Sequence, residues 1–165
     1  MRTMTRGLLA VAMLATIANA ATAQTMTRPV LSLEGAKAVG AAAAAEARRL
    51  NAGGAIAIVD DGGHLLYLER LDNTFPAASA VAIEKARTAA TFRRPTSVFE
   101  EAIRNGRTSL VAVSVMTPLQ GGVPVVVGGV VVGAVGVSGA ASAQQDDDIA
   151  KVAAVALDKT LGAAR

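Results

Sequence analysis

Apolar and polar positions alternate along this chain in a helix–hairpin–helix–hairpin–helix rhythm. After Ser32, residues Leu33, Ala36, Val39 and Ala43 recur at helical spacing, and Glu46, Arg48 and Arg49 follow near the end. The spacing predicts a helix capped by Ser32 and running to about Leu50, where Asn51, Gly53 and Gly54 stop it. Ala55 to Val59 is short, apolar and β-branched, Asp60-Asp61-Gly62-Gly63 is a turn signal, and His64 to Arg70 returns as a second strand, which together predict a β-hairpin. A loop over residues 72–76 leads to a long helix over 77–92, with Ala78, Val81, Ala82, Lys85, Ala89 and Phe92 at helical spacing, broken by Pro95. Ser97 and Glu100 have capping-box spacing for a short helix ended by Asn105-Gly106. Residues 108–116 are rich in Thr and Val and read as strand or extended loop. Residues 123–127 and 130–138, joined at Gly128-Gly129, form a second hairpin of near-continuous apolar character, which requires cover on both faces. Ser142 and Gln145 open a closing helix through Leu161, with Asp146, Asp147 and Asp148 placed to complement its dipole.

Tight turns between neighbouring strands argue antiparallel pairing. The expected fold is therefore α+β, with helices packed on an antiparallel sheet.

The N-terminus changes the reading of charge. Residues 1–23 have the form of a secretory signal peptide: a basic start with Arg2 and Arg6, an apolar stretch over 7–18, and the small-residue site Ala21-Thr22-Ala23. The expectation is one domain over 24–165, exported to a periplasm or secreted, with no membrane span after cleavage. Loss of Arg2 and Arg6 from the 16 Lys and Arg leaves 14 basic against 13 acidic side chains, so the positive charge carries no nucleic-acid signal.

Composition narrows the chemistry further. The chain is 52% hydrophobic yet 2% aromatic, so its apolar content is Ala, Val and Leu. It has no cysteine and one histidine, which excludes disulfides, thiolate metal sites, iron–sulfur clusters and multi-histidine metal sites. Asp146, Asp147 and Asp148 point about 100° apart around a helix and do not converge on one ion. Gly136-Val137-Ser138-Gly139-Ala140 is not a nucleophile elbow, since its fifth residue is Ala, and no phosphate-binding glycine loop is present.

Four ordered segments resemble the GlcG/HbpS family, also called domain of unknown function 336 and related to the C-terminal domain of PduO-type proteins. They are Leu31 to Ala36, Ile58 to Leu65 with its Asp-Asp-Gly-Gly-His core, Lys85 to Thr96, and Gly121 to Val125 together with Gly133 to Gly139. The resemblance implies a profilin- or PAS-like sheet of five antiparallel strands with helices packed on it, which fits the order α-β-β-α-α-β-β-β-α read along the chain when residues 108–116 are taken as a strand. It also implies assembly into dimers up to octamers, and binding of haem or a related tetrapyrrole in some members.

A haem needs apolar walls, cations for its propionates and an axial ligand. Tyr67 and Phe92 are the candidate walls, Arg70, Lys85 and Arg94 the candidate cations, and His64 or Thr88 the candidate iron ligand. Thr96 is a further oxygen donor, and Gly121-Gly122 allows close backbone approach. The expected cavity lies between the 77–92 helix, the second strand and the Gly121-Gly122 loop. Two other readings are an enzyme or accessory factor for a small carboxylate such as a hydroxy acid, anchored by Lys85 and Arg70, and an oligomeric sensory or assembly module built on the Ala-rich helices.

Overall fold

The computed structural model describes residues 26–158. The expected signal peptide and the expected helix end at Leu161 lie outside these residues. Helix α1 (Leu33–Arg49) starts as expected, with the Ser32 hydroxyl accepting the Gly35 N–H at 3.1 Å. Strands β1 (Ala55–Asp60) and β2 (Leu65–Arg70) follow as an antiparallel hairpin. Helix α2 (Ala78–Phe92) ends at Arg93, whose φ of 55° turns the chain away. Helix α3 (Thr96–Arg104) begins two residues earlier than the sequence suggests. Pro95 stands at its N-cap, so Ser97 lies inside the helix and caps nothing. Strands β3 (Gly122–Val127) and β4 (Val130–Ser138) form the second hairpin, and α4 (Ala143–Ala154) closes the fold, with the Ser142 hydroxyl accepting the Gln145 N–H at 3.1 Å.

The fold is α+β with an antiparallel sheet, but among the described residues the sheet has four strands, ordered β2-β1-β4-β3. The expected fifth strand within 108–116 is replaced by a 3-10 helix over Thr108–Ala112. That segment packs against α3. Its exit is captured by the Thr88 hydroxyl, which accepts the Thr117 N–H at 2.8 Å, so the segment never reaches a sheet edge.

Both faces of the sheet are covered, by different materials. On one face, Val39 and Ala43 of α1 and Ile149 and Ala153 of α4 pack on Ile56, Ile58, Val135 and Val137. On the other, Ala78, Ala82, Ala86 and Ala89 of α2 lie on Ala55, Ala57, Val59 and Ala134. Alternation along β1 thus sends isoleucine one way and small residues the other. Gly136 completes the second seam, since a Cβ there would strike the Ala82 carbonyl and sit 2.6 Å from the Ala86 nitrogen. Backbone therefore rests almost directly on backbone, and α2 is held close to the sheet.

Candidate functional site

The β1–β2 turn is built around one carboxylate. Asp60 Oδ1 accepts the N–H groups of Gly62 at 2.9 Å and His64 at 2.8 Å. The His64 Nδ1 lies 3.2 Å from both Asp60 oxygens. Partial burial opposes ionisation of Asp60, but the two backbone donors and the imidazole outweigh it and hold the carboxyl below its usual range. Against an ionised Asp60, Nδ1 is the donor, and in the neutral ring Nε2 is left with its lone pair. The imidazole is 82% exposed. Gly62 makes room for it, because a Cβ there would lie 3.0 Å from the ring. Two contacts seat the turn: Arg28 of the N-terminal lead-in pairs with Asp61, and Arg87 Nε of α2 donates to the Gly63 carbonyl at 3.3 Å.

A cleft of about 300 Å³ opens at the C-terminal end of the same helix, lined by Phe92, Arg94, Val98, Phe99, Ala102, Arg107 and Leu110. Phe92 and Phe99 meet edge to face with ring centroids 5.3 Å apart. Among the described residues neither Arg94 nor Arg107 has an ion-pair partner. The cleft thus offers two aromatic surfaces and two free guanidinium groups, a combination suited to a flat apolar body carrying carboxylates.

The remaining candidates fall into separate places. Lys85 is buried, and its Nζ donates to Asp146 Oδ2 and to the Val137 carbonyl, each at 2.9 Å. Asp147 accepts the Gly121 N–H at 3.2 Å and pairs with Lys151 at 2.7 Å. Thr96 is fully buried and accepts the Gly122 N–H at 2.9 Å. Thr88 is 1% exposed and holds Thr117 as described above. Lys85, Thr88, Thr96, Gly121 and Gly122 thus form an internal latch joining α2, α3 and α4 to the β3–β4 hairpin. Tyr67 lies across the sheet from α2. Its ring packs over Gly40 of α1, where a Cβ would come within 2.6 Å, and its hydroxyl donates to Glu69 at 2.7 Å. Arg70 and His64 flank opposite ends of β2, about 20 Å apart at normal strand rise.

The structure therefore brings Phe92 together with Arg94, and Lys85 with Thr96, Gly121 and Gly122. It separates Tyr67 from Phe92 and Arg70 from His64. Sequence reasoning passed over Asp60, Arg107 and the Lys85–Asp146 pair. Asp60 carried a signal, since Asp four residues before His across Gly-Gly is the spacing that a turn closes. The ion pair, spanning 61 positions, carried none.

Comparison with known proteins agrees with this architecture. The model of the family described as haem degrading protein HbpS-like matches residues 31–155. The chain is 51% identical over 112 residues to Protein GlcG of Escherichia coli (strain K12), which covers 68% of this chain and 84% of that protein. A double mutant of Streptomyces reticuli HbpS superposes with a TM-score of 0.74 at 30% identity, over 81% of this chain and 91% of that one. The PduOC:heme complex superposes with a TM-score of 0.68 at 26% identity, over 78% of this chain and 95% of that one. By the extent of the family match and its identity to GlcG, this chain belongs to the HbpS-like family.

Proposed function

We propose that this chain is an exported protein that binds haem or a related tetrapyrrole reversibly. The observation that carries the reading is the exposed His64 imidazole with its Nδ1 committed to Asp60. An anchored imidazole whose second ring nitrogen faces outward is the donor that haem iron takes. The solved haem complex of the similar PduOC chain supports the same ligand class. Arg94 and Arg107 would neutralise the propionates, and Phe92 and Phe99 would offer the apolar surface. When bound, haem supplies a redox-active iron; the protein's part is to hold and orient it. Thr88 is the weaker iron ligand, because its hydroxyl is buried and already accepts a backbone N–H.

Titration of the protein with hemin, followed by absorbance, tests this reading, with His64→Ala and Thr88→Ala in parallel. The expected result is a saturable Soret shift that His64→Ala abolishes and Thr88→Ala keeps. An unchanged shift in His64→Ala overturns the ligand assignment, and a non-saturating rise in the parent protein overturns haem binding altogether.

Self-assembly belongs to the same proposal. Val111 and Val115 are 68% and 71% exposed on the segment after α3, with Val98 and Leu119 also exposed. Sedimentation at increasing concentration is expected to show a homo-oligomer. Export is tested by cell fractionation and by the mass of the mature chain, which is expected to begin at Gln24.

A further inference from the structure

At the end of β2 remote from His64, two contiguous concavities of about 580 and 330 Å³ share Arg48, Ala52 and Asp72. The first adds Asn51, Gly53, Asn73 and Gly139, and the second adds Glu69, Arg70 and Leu71. The lining is polar, unlike the aromatic cleft at the end of α2. We infer that this groove is a second binding site, distinct from the haem site, and that its ligand is a free α-amino acid held as the zwitterion.

Three observations point to that chemistry. The first is the charge inventory. Glu69 is occupied, accepting the Tyr67 hydroxyl at 2.7 Å and facing Arg48 at 3.6 Å. Among the described residues Arg70 and Asp72 have no ion-pair partner, so the groove presents one free cation and one free carboxylate together. A guanidinium binds a carboxylate through paired N–H donors, and a carboxylate binds an ammonium. The second is the setting of Asn51, which directly follows Leu50, the C-cap of α1, so the negative end of that helix dipole opens onto the groove and favours an ammonium there. The third is backbone geometry. Asn51 and Asn73 have φ of 51° and 61°, and Gly139 has φ of 99°. At Asn51 this angle closes α1, with the Asn51 and Ala52 N–H groups returning to the Arg48 and Ala47 carbonyls, and at Gly139 it costs glycine nothing, so these turns fix the walls of the cavity. The walls are pinned to each other, with the Thr74 hydroxyl accepting the Gly54 N–H at 2.8 Å and the Gly54 carbonyl accepting the Leu71 N–H at 2.9 Å. The site is thus largely preformed, with two amide side chains at its rim to meet the ligand's own substituent.

The test is backbone NMR of the isotopically labelled protein titrated with each proteinogenic L-amino acid, with L-lactate set against L-alanine as the control that replaces only the ammonium by a hydroxyl. The expected result is a saturable shift of the Asn51, Gly53 and Asn73 amides with at least one amino acid. Arg70→Ala and Asp72→Asn should each weaken that binding about tenfold or more, while melting at the parent temperature. Binding of lactate as tight as that of alanine overturns the zwitterion assignment, because the ammonium then contributes nothing. Absence of any saturable shift at these amides overturns the site. Hemin titration of the Arg70→Ala and Asp72→Asn variants should match that of the parent, so the groove and the haem reading fail or stand separately.

Discussion

Asp60 does two jobs with one side chain, closing the turn through backbone N–H groups and fixing the imidazole. Because its carboxyl is held low in the folded protein, it stabilises the fold at pH values above the unfolded carboxylate range, about 3.9, and that contribution is lost as pH falls through the lower folded value. Urea unfolding of the parent and Asp60→Asn should therefore differ at neutral pH and converge in acid. Tyr67 gives an opposite shift. Its hydrogen bond to Glu69, helped by burial and the nearby negative charge, raises the phenol above its ordinary value of about 10. With one Tyr and no Trp, ultraviolet titration reads this group directly, and the midpoint should fall towards the ordinary value in Glu69→Gln.

At the level of elements, the latch between α2 and α4 sets the largest single cost. Lys85 and Asp146 side chains are 4% and 8% exposed. Lys85→Met leaves a buried, uncompensated carboxylate and should destabilise by about 3–5 kcal/mol in urea unfolding, with partial recovery in Lys85→Met/Asp146→Leu. Gly136→Ala should cost about 3 kcal/mol or more, because its new methyl meets backbone that belongs to α2 and has no rotamer to change. These elements also show where sequence is readable. Ser32 and Ser142 announce helix starts through local hydroxyl chemistry, and the Asp-Asp-Gly-Gly and Gly-Gly turns announce both hairpins. Residues 108–116 have strand composition, yet a strand needs a partner with free N–H and C=O groups. Here Thr88 takes the segment's exit instead, a contact across 29 positions that no local pattern encodes.

For the whole molecule, a sheet covered on both faces makes α2 the common support of the proposed haem site. The helix seats the His64 turn through Arg87 and forms one wall of the Phe92 cleft. Saturating hemin should raise the melting temperature of the parent and leave His64→Ala unmoved, since a ligand stabilises only the state it binds. The site was partly legible. Its residue types stood in the Lys85–Thr96 stretch, but the split between groups at the surface and groups in the latch is decided by three-dimensional neighbours. Lys85 and Arg94 read alike as cations, yet one has Asp146 across from it and the other faces a cleft.

The seam where Ala82 and Ala86 lie on Gly136 has a consequence for how variation in this chain will read. With no layer of large side chains to yield, any added bulk there lifts the whole helix and displaces the turn and the cleft as one body. A mutational scan scored on ligand uptake will therefore flag seam positions that touch no ligand. An outward position such as Ala80 should drift freely, and only a parallel scan of folding will separate the scaffold from the site.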